Sequence, residues 1–233
     1  MIFGKIDYIN LLPFHIFLKS CSMNNSFKKA IEHKKGVPSL INKKFQKRQI
    51  SAAFISSIYS NSKNIKTLPL GIIAQKEVKS VILKNGLCKD DQASATSNML
   101  RKVLGLEGEV FIGDRALRLY LQNPNDYIDL ATSWHNKYNL PFVFAVLCTN
   151  KHHQIYKKLV NNFKKKKIKI PQYILKDYAK KRHIEVKEIK EYLKLISYNI
   201  NQKEKKALKL FLKKSKALDL KTNASKSATI KGK

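Results

Sequence analysis

A chain of 233 residues with 43% hydrophobic content holds enough apolar material for one large core or two smaller ones, which excludes a wholly disordered protein. Its 47 Lys and Arg against 16 Asp and Glu give a net charge of +31, of which residues 151–233, with 26 cations against 6 anions, carry +20. No apolar run approaches the roughly 20 residues of a membrane-crossing helix. Cys21, Cys88 and Cys148 lie far apart with no CxxC and no His at ligand spacing, so neither a disulfide framework nor a metal site is signalled.

The chain opens on GKIDYINLLPF, residues 4–14, where Lys5, Asp7 and Asn10 interrupt the apolar positions. A signal peptide would show positive charge followed by an unbroken apolar run, so this opening is expected to be part of the mature protein and the chain to be cytosolic. A strand is predicted over 2–8, then a helix beginning near Pro13, with Asn10 at the junction. Further strands are predicted over 50–55, 68–74, 80–84, 110–112 and 143–149, separated by helices over 39–46, 97–104, 115–121 and 133–138. This alternation predicts an α/β protein. From residue 151 the pattern changes to a 3.6-residue period, giving helices over 152–165, 171–181, 186–198 and 202–216. The remainder, 219–233, is polar and unpatterned and is expected to be a disordered tail.

The basic C-terminal third raises nucleic acid as a partner, because a positive face attracts phosphate whatever the base sequence. Nearly all its cations are Lys rather than Arg, however, and they lack interleaved stacking aromatics. They read as solvated helix faces, and nucleic acid is not the expected partner.

In open α/β folds, ligands bind where strands end and helix N-termini begin, and those N-termini favour anions. The polar residues at such positions are Asn10, Ser56, Ser57, Ser80, Ser94, Thr96, Ser97 and Asp114. The run Ser94-Ala95-Thr96-Ser97 is the strongest of them. Its hydroxyls either hold a carboxylate or simply cap their own helix; Ser57 and Asp114 carry the same ambiguity.

Several stretches converge on one family: the opening GKIDYINLLPF, ISAAFISSIY (50–59), EVKSVIL (77–83), SATSNMLRKVL (94–104), FIGDRAL (111–117) and DLATSWHNKYNLPFVFAVL (129–147). In this order they resemble the chorismate dehydratases of the futalosine route to menaquinone. The resemblance implies a fold like the type II periplasmic binding proteins, two lobes around a cleft with a helical C-terminal region. The larger lobe would comprise 1–84 and 140–218, including C-terminal helices over 151–216, and the smaller 85–139. Two departures stand out. LGLEGEVFI (104–112) is shorter than the corresponding segment of many relatives, and Ala95 replaces a frequent Arg.

The implied reaction removes water from chorismate to give 3-[(1-carboxyvinyl)oxy]benzoate. Aromatisation drives it, and no cofactor is expected. The substrate carries two carboxylates, which suits Ser94, Thr96 and Ser97 for one, Ser57 and Ser80 for the other or for the leaving hydroxyl, and Asn10 for orientation. The matching motifs offer no His as a base. Asp114 is the best-placed carboxylate, Asp7 and His15 are better explained as structural, and the substrate's own enolpyruvyl carboxylate is the preferred base. The same fold also serves non-enzymatic solute-binding proteins for small carboxylates, the alternative function.

Overall fold

The computed structural model describes residues 1–21, 26, 29, 34–62 and 65–230. Two sheets organise the chain. The larger is built from β1 (Phe3–Gly4), β2 (Ala52–Ser56), β3 (Lys66–Ala74), β7 (Phe142–Thr149) and β8 (Ile196–Asn199), in the order β1-β2-β7-β3-β8. Only β1 and β2 run parallel; β7 is antiparallel to β2 and β3, and β8 to β3. The smaller sheet has the order β5-β4-β6, from β4 (Val81–Lys84), β5 (Glu109–Ile112) and β6 (Ile128–Asp129), all antiparallel.

Helices fill the intervals: α1 (Leu12–Ser20), α2 (Pro38–Gln46), α3 (Ala95–Leu104), α4 (Gly113–Gln122) and α5 (Leu130–Tyr138). The C-terminal region then supplies α6 (His153–Lys165), α7 (Gln172–Arg182), α8 (Val186–Leu195) and α9 (Gln202–Ile230). Proline opens α1 and α2, where its missing N–H costs nothing and its fixed φ suits the first turn. Gly105 in the left-handed region at φ 72° ends α3, so no Cβ is strained there.

β2 is buried at every position and packs a nest of aromatic rings beneath the sheet: Phe54 meets Phe14 edge-to-face at 5.1 Å, and Phe14 meets Phe163 of α6 at 5.2 Å. Such pairs add about 0.5–1.5 kcal/mol each beyond area burial. The burial couples the first helix to the C-terminal region.

The chain passes between the sheets twice, through 75–80 and through 139–141. The second passage is pinned by Trp134, wholly buried, whose Nε1 donates to the Pro141 carbonyl at 3.0 Å. The first is pinned by Asp129, whose Oδ2 accepts from the Val78 and Lys79 amides at 2.9 and 2.5 Å while Oδ1 caps α5 through the Ala131 and Thr132 amides. Lys79 sits at φ +58°, a conformation costly for a residue with a Cβ, and this carboxylate holds it there. Burial pushes the Asp129 carboxyl up, against the pull of the four N–H groups.

Three expectations differ from the structure. The opening strand spans only Phe3–Gly4, and Ile9–Leu11 forms a 3-10 turn. The helix expected over 186–198 ends at Leu195, because Ile196–Asn199 pairs with the free edge of β3. Where a disordered tail was expected from 219, the backbone of α9 stays helical to Ile230; no Pro or Gly interrupts that stretch. Residues 231–233 of that tail lie outside the described residues.

Candidate active site

Between the two sheets lies a cavity of about 70 Å³. The 3-10 turn contributes Asn10 and the residues before it Tyr8, the end of β2 gives Ser56, the first passage Ser80, the start of α3 Ser94 and Ser97, and α4 its first residue, Gly113. Among the described lining residues there is no Lys, Arg, Asp, Glu or His. What faces the space is hydroxyl, amide and apolar surface.

Ser94 is the N-cap of α3: its Oγ accepts from the Ser97 amide at 3.2 Å and lies 2.8 Å from Ser97 Oγ. The capping role is thus observed, and the cap itself borders the cavity at the positive end of a helix. Thr96 points elsewhere. Its Oγ1 accepts from the Ile58 amide at 3.3 Å and it is not a lining residue. Ser57 is likewise turned away, its hydroxyl donating to the Val143 carbonyl of β7 at 2.5 Å; its neighbour Ser56 lines the cavity instead, held by the Asn42 amide at 2.8 Å.

Asn10 presents a different situation. Its Oδ1 is buried and has no hydrogen-bond partner among the described residues, while its backbone carbonyl accepts from Tyr198 Oη at 2.7 Å. Ser80 is 2% exposed, and its Oγ lies 2.8 Å from Tyr192 Oη. A buried amide oxygen left without a partner is costly unless a ligand group meets it.

Asp114 does not line the cavity. One carboxylate oxygen accepts from the Ile9 amide at 2.9 Å and the other is paired with the Arg182 guanidinium of α7. Burial pushes its carboxyl up, against the Ile9 amide and the arginine. Asp7 joins the same cluster through Tyr178 Oη at 2.8 Å and Arg182 at 3.6 Å. These carboxylates tie α4 and α7 to the segment carrying Asn10, which is a scaffolding task. Next to them Gly113, at φ +69°, lets the backbone approach the Tyr8 ring so closely that a Cβ would lie 2.7 Å from it. Burial, and then Asp91 and Asp114, push the Tyr8 phenol up to about 12, so it remains protonated.

Tyr8, Tyr192, Tyr198 and Asp129 were not singled out from sequence. Asp129 had a readable signal, an acidic residue directly before a helical run; the tyrosines had none. Outside the cavity, an open groove of about 1070 Å³, lined by Asn42, Ala93, Ala95 and Asn98 among others, displays Lys43, Lys89 and Arg115 together with Asp90, Asp91 and Glu109. Among the described residues no cluster of three or more His, Cys, Asp or Glu could hold a metal ion, and no helix is long and apolar enough to cross a membrane.

Comparison with known proteins adds to this geometry. Residues 91–217 match the profile of a family described as menaquinone biosynthesis. The chorismate dehydratase of Campylobacter jejuni subsp. jejuni serotype O:23/36 (strain 81-176) is 53% identical over 222 residues, covering 94% of this chain and 100% of that protein. Among solved structures, protein AF1704 from Archaeoglobus fulgidus superposes with a TM-score of 0.67 at 12% identity, covering 94% of this chain and 97% of that one. The ligand-binding component of an ABC-type import system from Staphylococcus aureus gives a TM-score of 0.50 at 13% identity, covering 94% and 92%. Likeness at such low identity shows the fold, an α/β binding-protein-like architecture with a helical C-terminal region.

Proposed function

The chain belongs to the menaquinone biosynthesis family, and on that premise we propose how its cleft performs the reaction of a chorismate dehydratase. The enzyme is a hydro-lyase: it removes water from chorismate to leave 3-[(1-carboxyvinyl)oxy]benzoate. The ring carbon bearing the enolpyruvyl ether gives up its proton, the neighbouring hydroxyl departs, and the ring becomes aromatic.

One observation carries the mechanistic reading. The cavity is lined by hydroxyls, an amide and apolar groups, with no carboxylate or imidazole among the described lining residues to take the ring proton. Asp114, the best protein candidate, has both oxygens engaged by Ile9 and Arg182. The base is then the substrate's enolpyruvyl carboxylate, held over the ring proton by its surroundings. Catalysis is by positioning and by electrostatic stabilisation of the departing oxygen. Ser94 and Ser97, at the N-terminus of α3, receive one carboxylate; Asn10 and Ser80 face the hydroxyl-bearing part of the ring.

A cavity of about 70 Å³ has room for on the order of five waters, less than a ring with two carboxylated arms fills. The two sheets, read as two lobes, part at 75–80 and 139–141 to admit substrate and close to exclude water. The strongly positive charge of the protein as a whole raises the local concentration of a dianion around it.

The test is incubation of purified protein with chorismate, with product followed by ultraviolet absorbance and mass. Loss of water with appearance of the aromatic ring is expected, and Asp114→Asn should retain measurable turnover. Binding without turnover by the wild type would make the protein a solute-binding module. Loss of all turnover in Asp114→Asn with binding intact would make Asp114 the base and end the substrate-assisted reading.

A further inference from the structure

Behind Asn10 and Ser80 stands a residue that does not itself line the cavity. Tyr192, on α8, is 3% exposed, and its Oη is 2.8 Å from Ser80 Oγ. Asn10 and Ser80 both line the cavity, and Asn10 Oδ1 is buried there with no partner among the described residues.

We propose that Tyr192 is a positioning residue for the dehydration: it donates to Ser80 Oγ, which leaves the Ser80 hydrogen to turn into the cleft. The inference rests on the reading of this cleft as the site of dehydration. It follows from counting donors and acceptors. A phenol has one hydrogen to give, and Ser80 is the hydroxyl beside it. Burial pushes the Tyr192 phenol well above its ordinary range, so it keeps that hydrogen at any working pH. With its lone pair occupied from behind, Ser80 has its own hydrogen left to direct forward.

The cleft therefore meets one oriented donor beside the unpartnered Asn10 Oδ1, which is the complement of an alcohol about to leave. Asn10 Oδ1 accepts the hydrogen of the substrate hydroxyl, and Ser80 donates to the oxygen of that hydroxyl as negative charge gathers on it. No proton is transferred to or from Tyr192. The ring C–H electrons form the new ring double bond, the C–O bond breaks with its pair on oxygen, and the proton taken up by the enolpyruvyl carboxylate completes the departing water.

Tyr192→Phe keeps the ring and removes only the hydroxyl. The expected result is a fall in kcat of about tenfold at nearly unchanged KM, the worth of one oriented hydrogen bond, with Tm lowered by about 3 °C or less. A double-mutant cycle gives the sharper readout, because a residue acting through Ser80 adds nothing once Ser80 is gone. Ser80→Ala with Tyr192→Phe should be no worse than about twofold below Ser80→Ala alone. Wild-type kcat in Tyr192→Phe, or losses that multiply in the double mutant, would overturn the proposal. A wild type that leaves chorismate untouched would instead overturn the reading of the cleft on which it rests.

Discussion

Two buried polar clusters border the same cavity and are built in opposite ways. The Ser94–Ser97 cluster is a single helical turn, its bonds made three residues apart, and it exists as soon as α3 forms. The cluster of Asn10, Ser80 and Tyr192 joins segments from three parts of the chain, the last two 112 positions apart. It exists only when both sheets and the C-terminal helices are packed. The difference teaches where robustness lies: a local cluster tolerates damage to distant parts of the fold, and an assembled cluster inherits every weakness of its scaffold.

The largest effect that would sharpen this contrast is on Asn10. Asn10→Asp is nearly isosteric but sets a negative charge against a dianionic substrate, so kcat/KM should fall by about 10²–10³-fold, further than in Asn10→Ala, with melting temperatures close together. The reverse order of the two variants would show that Asn10 does not face the substrate. Next comes Asp129→Ala, which strips four backbone N–H groups of their acceptor at the passage leading to Ser80 and should cost about 3 kcal/mol in denaturant unfolding. An unchanged unfolding midpoint would break the view that the assembled cluster depends on this clamp.

A smaller effect separates two neighbours in the local cluster. Ser97→Ala should raise KM about tenfold, whereas Thr96→Val, which orphans the Ile58 amide away from the cavity, should lower stability by about 1–2 kcal/mol and leave KM alone. Steady-state kinetics beside thermal melts would decide it, and equal KM shifts would count against the assignment. The smallest effect concerns Asp7, in the outer support of the Asn10 segment. Burial raises its carboxyl, but the Tyr178 hydroxyl and then Lys5, Arg182 and Lys35 outweigh this and leave it below 3.8. A depressed carboxylate contributes stability above its unfolded pKa and loses it as pH falls through the folded one. The Tm advantage of wild type over Asp7→Asn should therefore hold at neutral pH and close at pH values below about 3.8. An advantage that persists there would mean that charge is not what Asp7 contributes.

What the sequence made legible follows the same division. β2, β3, β7 and the helices flanking the cleft carry their own periodicity and caps, and the Ser94 turn was recognisable because cap and helix are adjacent. Ile196–Asn199 was not, because its apolar residues continue a helical period and only the free edge of β3 decides for a strand. Ser57 and Thr96 carry the right chemistry, but which way their hydroxyls turn is fixed by Val143 and Ile58, far along the chain. The role of Asp114 depends on Arg182, 68 residues away, and nothing in FIGDRAL announces that partner.

The pairing of β7 between β2 and β3 also has a consequence for how the molecule is made. A ribosome delivers β1 first, yet the central strand that closes the larger sheet emerges only with residues 142–149, and Tyr192 and Tyr198 later still. Such long-range pairing is slow to form. During synthesis β2 and β3 wait with unpaired edges, and the half of the cleft that carries Asn10 and Ser80 is the last to be finished. A chain ending just before α8 would lack both tyrosines, leaving Ser80 Oγ and the Asn10 carbonyl without the partners that hold them.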